Sequence, residues 1–287
     1  MASLKEVKGR IASVNNTRKI TSAMKMVASA KLHKAQAAIE SMLPYARRLH
    51  HILADFMSNC TEVTSPFIVK REVKKVAVVV FASNTSLCGG FNANVIRHLV
   101  DLLTEYKPLG LENILVFPVG KKVADAVRKL GFRIEGDFQH MADKPSYQEA
   151  ADLAADLMKR FLHGDVDKVE LLYNHFKSTA SQILTRETYL PIDLNNEKKE
   201  EERTIDYILE PSAEELMQEM LPKVLRMKMF TVLLDSNAAE HAARTMAMQI
   251  ATDNANELLQ ELTVMYNKSR QQSITNELLD IVGGSMA

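Results

Sequence analysis

Residues 223–282 read KVLRMKMFTVLLDSNAAEHAARTMAMQIATDNANELLQELTVMYNKSRQQSITNELLDIV, sixty residues without a glycine or a proline. No glycine at all occurs between Gly164 and Gly283. A second stretch, Arg10–Leu43, lacks both residues too. Glycine costs about 1 kcal/mol and proline about 3 kcal/mol in a helix interior. The reading is therefore two long stiff helices at opposite ends of one chain. Periodic segments much beyond 25 residues point to coiled coils, membrane spans or helical repeats.

Composition narrows those choices. The 287 residues suggest one or two domains, and 46% hydrophobic residues supply a core. No run of about 18 apolar residues is free of charge, so no membrane span is expected. The opening MASLKEVKGR lacks an apolar segment and is not acid-free, which fits neither a secretory signal nor a transit peptide. Cys60 and Cys88 make neither a disulfide framework nor a zinc site, and a reducing compartment is the default. The absence of Trp, 6% aromatics and 15 Met suit helix–helix seams better than a sugar or base platform. The net charge of zero hides an asymmetry: residues 1–60 hold ten Lys/Arg against three acids, +7, and residues 212–287 hold six against ten, −4. A basic arm suits nucleic acid or an anionic membrane surface. The plainer expectation is that it pairs with the acidic arm.

The N-terminal arm, residues 1–60, opens with a capping box, Ser3 to Glu6. Apolar residues follow at Leu4, Val7, Ile11 and Val14. The spacing then predicts a seam through Ile20, Met24, Val27, Leu32, Ala35, Ile39 and Met42, carried on by Ala46, Leu49, Leu53 and Phe56. Steps of three and four mark a left-handed coiled coil. Pro44 is expected to kink or break this helix, and residues 15–19 are polar on every face. The C-terminal arm, residues 212–287, starts at a Ser212 cap with Glu215 three residues on. Its expected seam runs Leu216, Met220, Val224, Phe230, Leu233 and Leu234, with a bend at Pro222. Beyond lie Ala239, Ala243, Met246, Ile250, Leu258, Leu262, Met265, Ile274, Leu278 and Ile281, and Gly283-Gly284 end the helix. At ~1.5 Å per residue the arms span roughly 80 and 105 Å. Paired antiparallel, the C-terminal one projects, and its apolar end is expected to be buried in another protein.

The middle, residues 61–211, alternates in type. Strands are predicted at 73–82, 113–119, 168–173 and 182–189, with a short segment of unassigned type at 132–134, and helices at 94–106, 121–130 and from a Ser146–Glu149 capping box to about Phe161. Such alternation means a mostly parallel sheet covered on both faces. The run 195–203, NNEKKEEER, reads as a solvated loop. The predicted fold is α/β with long helical arms: an antiparallel coiled coil of the two terminal helices plus a central Rossmann-like α/β domain.

Catalytic chemistry is hard to find. Neither GxxxxGK[ST] nor GxGxxG is present. The turn Ser86-Leu-Cys-Gly-Gly-Phe-Asn92 lies between a strand and a helix, where backbone amides can meet an anion. The plainer reading is a tight glycine turn with Asn92 or Asn94 as helix cap. Cys88 reads as a small buried thiol. The eight histidines show no metal-ligand spacing. A polar cluster, Tyr266 to Glu277, falls in the helix end expected to project. It is either a solvated face or a polar latch onto a partner.

Four motifs carry a resemblance. Ile274-Thr-Asn-Glu-Leu-Leu-Asp-Ile-Val282-Gly-Gly and the stretch Glu240–Leu258 closely resemble the C-terminal helix of the gamma subunit of the bacterial-type F-type ATP synthase. Arg10–Ala28 resembles that family's opening helix, and the Ser86–Asn92 turn resembles its Gly-Leu-Cys-Gly-Gly turn. Departures exist: Asn84-Thr85-Ser86 stands where the family has Asp-Arg-Gly, Asn276 where it has Gln, and Leu279 where it has Thr. The resemblance implies a non-catalytic central rotor stalk without cofactor or metal. It would couple ion-driven ring rotation to ATP synthesis and hydrolysis on the beta subunits. Implied partners are the alpha and beta subunits, the epsilon subunit and the membrane c-ring, at the cytoplasmic face of the inner membrane. By position in the motifs, Arg270, Gln271, Thr275 and Glu277 would contact beta-subunit loops, and Met24 and Lys25 the moving beta-subunit lever. The alternative is a coiled-coil scaffold protein with an α/β ligand-sensing module.

Overall fold

The computed structural model describes residues 3–59, 65–192 and 213–285. Cys60, the Ser212 cap, the 195–203 run and the Phe56 side chain lie outside the described residues. Helix α1 (Leu4–Asn59) leads into β1 (Val76–Phe81), α2 (Phe91–Tyr106), β2 (Ile114–Val119) and α3 (Lys121–Leu130). Then come β3 (Arg133–Ile134), α4 (Gln139–Asp143), α5 (Tyr147–His163), the hairpin of β4 (Lys168–Ser178) with β5 (Ser181–Leu190), and α6 (Ala213–Ser285).

The sheet order is β3-β2-β1-β4-β5. The first four strands are parallel, and β5 closes one edge antiparallel to β4. This is the doubly wound arrangement with one antiparallel edge strand. Alternation along β1 sends Val76, Val78 and Val80 toward Val95, Leu99 and Leu103 of α2 and Val123 and Val127 of α3. It sends Ala77, Val79 and Phe81 the other way, into a core with Leu153, Leu157 and Phe161 of α5. That second core also contains Met217, Leu221, Leu225, Met229 and Leu233 of α6, and Leu53 of α1. The base of the long helix is therefore itself a covering layer of the sheet.

Several local expectations need correction. Helix α1 runs through Pro44 and α6 through Pro222 without a break. Pro44 sits on the exposed side, and the residues four positions earlier, Glu40 and Gln218, are exposed, so water can take the carbonyls that proline releases. Glycines 283 and 284 do not end α6, which continues to Ser285. The Ser3 hydroxyl accepts from the Glu6 amide at 3.2 Å, but the Glu6 carboxylate turns to Arg10 instead of completing the box. At α5, Ser146 makes no side-chain cap, and Glu149 takes the His140 ring at 2.9 Å. Helix α2 starts from Gly90 with no side-chain cap, so neither Asn92 nor Asn94 has the expected role.

Candidate functional site

The two arms pack along most of α1, antiparallel, with an unbroken run of three- and four-residue steps. On α1 the inward positions are Val7, Ile11, Val14, Arg18, Thr21, Lys25, Ala28, Leu32, Ala35, Ile39 and Met42, all buried or half-buried. The polar stretch 15–19 is thus no gap in the seam but a polar layer within it. Thr21 and Thr252 share a hydroxyl hydrogen bond of 2.9 Å, and the Arg18 guanidinium donates to Asn256 at 3.3 Å. Closer to the α/β domain, Leu32 and Ala35 pack on Ala238 and Ala242. Small side chains there let the helix backbones approach.

The expected seam residues Ile20, Val27, Met246, Ile250, Leu258 and Met265 are instead exposed. The inward positions of α6 are Thr245, Met248, Thr252, Ala255, Leu259 and Leu262. Hydroxyl-bearing and small residues alternate there with Met248, Leu259 and Leu262. Other bulky residues face out. Ile20, Met24 and Val27 form one stripe beside the seam, with Met24 half-buried between two exposed neighbours. Lys25, one of the inward positions, is half-buried at the edge of the seam.

Apart from Arg18 and Lys25, the basic residues of α1 stay out of the seam. Lys5, Lys8, Lys19, Lys31, Lys34, Arg47 and Arg48 are all exposed. The charge asymmetry read from the sequence is therefore presented outward.

Carrying the Thr21–Thr252 register outward puts Leu4 opposite about residue 269. The last ~16 residues of α6 then extend past the start of α1 by roughly 24 Å. Arg270, Gln271, Thr275 and Glu277 all lie at the start of this free end, and all are exposed. Helical spacing divides them: Arg270 and Glu277 share one face, Gln271 and Thr275 another, about 120° away. The Thr275 hydroxyl donates to the Gln271 carbonyl at 2.9 Å, which holds its side chain against the helix. Around them Ile274, Leu278, Leu279, Ile281 and Val282 are exposed, Ile281 at 67%.

Where the arms meet the α/β domain, the junction is polar as well as apolar. Asp235 of α6 accepts from the Phe176 amide at 2.8 Å and from the His175 ring at 2.6 Å. Asn237 donates to the Ala142 carbonyl, and Tyr189 donates to the Leu225 carbonyl. Arg244 donates to Glu240 at 2.7 Å and to the Thr85 hydroxyl at 2.8 Å. Burial raises the Glu240 carboxyl against the opposing pull of Arg244. The neighbouring His241 is pushed down to about 4 by burial, and then by Arg244 and Lys31. Its Nδ1 is buried with no hydrogen-bond partner. Sequence reading missed this junction, although a Glu240–Arg244 pair four apart amid alanines was a visible signal.

The turn after β1 is filled by its own side chains. Asn92 accepts from the Ser83 amide and hydroxyl and donates to the Thr85 carbonyl. Cys88 is buried, with the Asn92 amide nitrogen 3.2 Å from its sulfur. Gly89 takes a φ of +59°, and a Cβ there would stand 3.8 Å from Ala247 of α6. The turn's polar groups close on each other and on the long helix rather than on open space. No helix among the described residues is long and apolar enough to cross a membrane.

Comparison with known proteins agrees with this geometry. Residues 3–287 match the family model described as ATP synthase. The chain is 81% identical to the ATP synthase gamma chain of Phocaeicola vulgatus, with 100% of both chains covered. It is 64% identical to that of Bacteroides fragilis, again over 100% of each. Among solved structures it is similar in fold to a chain of the Euglena gracilis mitochondrial ATP synthase OSCP/F1/c-ring assembly. There the TM-score is 0.63 and identity 19%, covering 99% of this chain and 93% of that one. A chain of the Tetrahymena thermophila central stalk and c-ring gives a TM-score of 0.58 at 23% identity, covering 81% of this chain and 99% of that one.

Proposed function

Because this chain belongs to the ATP synthase gamma chain family, it is the central rotor-stalk subunit of the F1 complex, and we propose that α1 and α6 turn as one shaft inside a ring of alternating alpha and beta subunits. ATP is made or split on the beta subunits, and this chain carries no catalytic group or cofactor of its own. Residues 1–60 and 212–287 are the shaft; residues 61–211 are the domain that receives torque. That domain docks the epsilon subunit and the c-ring, which is the chain's sole route to the membrane, at its cytoplasmic face. The shaft couples ring rotation to successive changes in the catalytic sites through a rigid element.

The observation that carries this reading is the far end of α6: a helix continuous with the domain core, yet largely exposed from Arg270 to Ile281. A lone helical end of that length is marginal in water, so an enclosing partner accounts for it. Arg270, Gln271, Thr275 and Glu277 grip beta-subunit loops, two on each face. Met24 and Lys25 meet the beta-subunit lever, with Met24 centred in the outward stripe of Ile20 and Val27.

Co-expression with alpha and beta subunits tests the reading. The expected product is one ATP-hydrolysing complex holding a single copy of this chain per ring. A partner-free protein that binds its own ligand tightly would overturn it.

A further inference from the structure

The α/β domain grips the shaft in two chemically different ways. Near the start of α6 the grip is apolar, through Met217, Leu221, Leu225 and Leu233. Further along, at the C-terminal end of β1, it is made by the turn that includes Asn84-Thr85-Ser86, where the sequence departs from the gamma pattern. Arg244 is the polar link. It is 9% exposed, and its fork splits, one arm to Glu240 on its own helix at 2.7 Å and the other to the Thr85 hydroxyl at 2.8 Å. The second arm also reaches the Ser86 carbonyl at 3.5 Å.

Thr85 is a fixed receptor rather than a loose loop residue. Its carbonyl accepts from the Ser83 hydroxyl at 2.6 Å and from Asn92 at 3.3 Å. Asn84 beside it accepts from the Lys121 amide at the start of α3 and donates to the Gln139 carbonyl at the start of α4, both at 2.8 Å. A path therefore runs from the shaft by hydrogen bond from Arg244 to Thr85, along the backbone to Asn84, and by its side-chain hydrogen bonds into two helices of the domain.

Resting on the rotor reading above, we infer that Arg244 is a positioning residue that locks this turn to the shaft, with Thr85 as its receptor, so that torque entering the α/β domain passes to the shaft without slip. Arginine is required because one guanidinium serves two partners in a fixed planar fork, which a lysine ammonium cannot reproduce. Glu240 holds the fork at the correct rotation. At the departure from the family pattern, the Thr85 hydroxyl is the group that meets the arginine on the shaft.

The test uses membrane vesicles carrying the complete ATP synthase, reading ions pumped per ATP hydrolysed alongside hydrolysis itself. Vesicles with the wild-type chain must pump; failure there would sink the rotor reading, not this one. Thr85→Val removes one hydrogen bond on an exposed loop, and the pumping ratio should fall about two- to threefold with hydrolysis retained. Thr85→Ser should restore it. Arg244→Lys should match Thr85→Val, and the double variant should be no worse than either single one, since both cut the same link. An unchanged ratio, an equal loss of both activities, failure of the serine rescue, or additive losses would each overturn the proposal.

Discussion

Helix α6 is one element with two contrasting halves. Its base, from Met217 to Arg244, is walled in: Leu221, Met229, Ala238, Ala239 and Ala242 are fully buried, and even Glu240, His241 and Arg244 are nearly so. Its tip, beyond Arg270, exposes almost every side chain, including five large hydrophobic ones. Both halves lack helix breakers until the final glycines, apart from Pro222 near the base. What differs is the source of stability. The base is helical because the sheet, α5 and α1 hold it so, which is why it absorbs Pro222. The tip has little such support among the described residues, and an exposed helix end of that length is marginal in water by itself. One helix is thus a buried core layer at one end and an exposed shaft end at the other.

The sharpest way to break that comparison is to remove the same side chain from each half. Leu221→Ala opens a cavity in the core shared by sheet and shaft and should cost about 2–5 kcal/mol. Leu278→Ala, at a residue 57% exposed, should cost less than about 0.5 kcal/mol in the isolated chain. Urea unfolding of both variants measures the contrast. Equal losses would show that the tip is packed on its own chain and the comparison false.

An intermediate effect lies at the top of the base. His241 has its folded pKa pushed down to about 4 from 6.5, by burial and then by Arg244 and Lys31; Glu240 and Asp143 are the acids near it. Between those values the unfolded chain binds a proton that the folded chain refuses, so stability falls as pH drops from about 6.5 toward 4, then levels off. The loss attributable to this group is at most about 3 kcal/mol. His241→Gln removes the titration, and the difference in stability between variant and wild type should grow across that window. A difference that does not vary with pH would show that His241 is hydrated. Glu240, whose carboxyl is raised, acts with the opposite sign in both proteins and cancels in the comparison.

The same contrast explains what could be read beforehand. The α/β domain was legible because its signals are local: β1 is a run of six buried residues, VAVVVF, and α3 begins and ends where its amphipathic pattern does, at Lys121 and Leu130. The arms were legible as helices for lack of breakers. Their phase was not. Hydrophobicity ranks Ile20, Val27 and Ile250 above Thr21, Ala28 and Thr252, yet the smaller residues turn inward. Around the Thr21–Thr252 contact the helix pair takes the smaller side chains inward and leaves the larger apolar residues exposed. Asn92 was misread for a related reason: an asparagine at a helix start is a cap only if nothing nearer needs it, and here Ser83 and Thr85 do. Long-range choices of this kind leave little trace in local pattern.

The smallest expected effect on folding, and a large one on function, belongs to the tip. Replacing both Arg270 and Gln271 by alanine removes two exposed side chains and introduces the best helix former, so the stability of the isolated chain should shift by no more than about 0.5 kcal/mol. Thr275 keeps its bond to the residue 271 carbonyl, because that bond uses backbone and not the lost amide. Coupling is another matter. Arg270 and Gln271 lie on the two different faces of the free end, so the pair strips a donor from each side of the shaft where beta-subunit loops would close on it. ATP synthesis in vesicles should fall several-fold while the variant still assembles with alpha and beta subunits. Unchanged synthesis would leave these residues as an ordinary solvated surface and confine the functional part of the tip to its apolar side chains. Lost assembly would instead mean that the tip holds the ring together rather than turning within it.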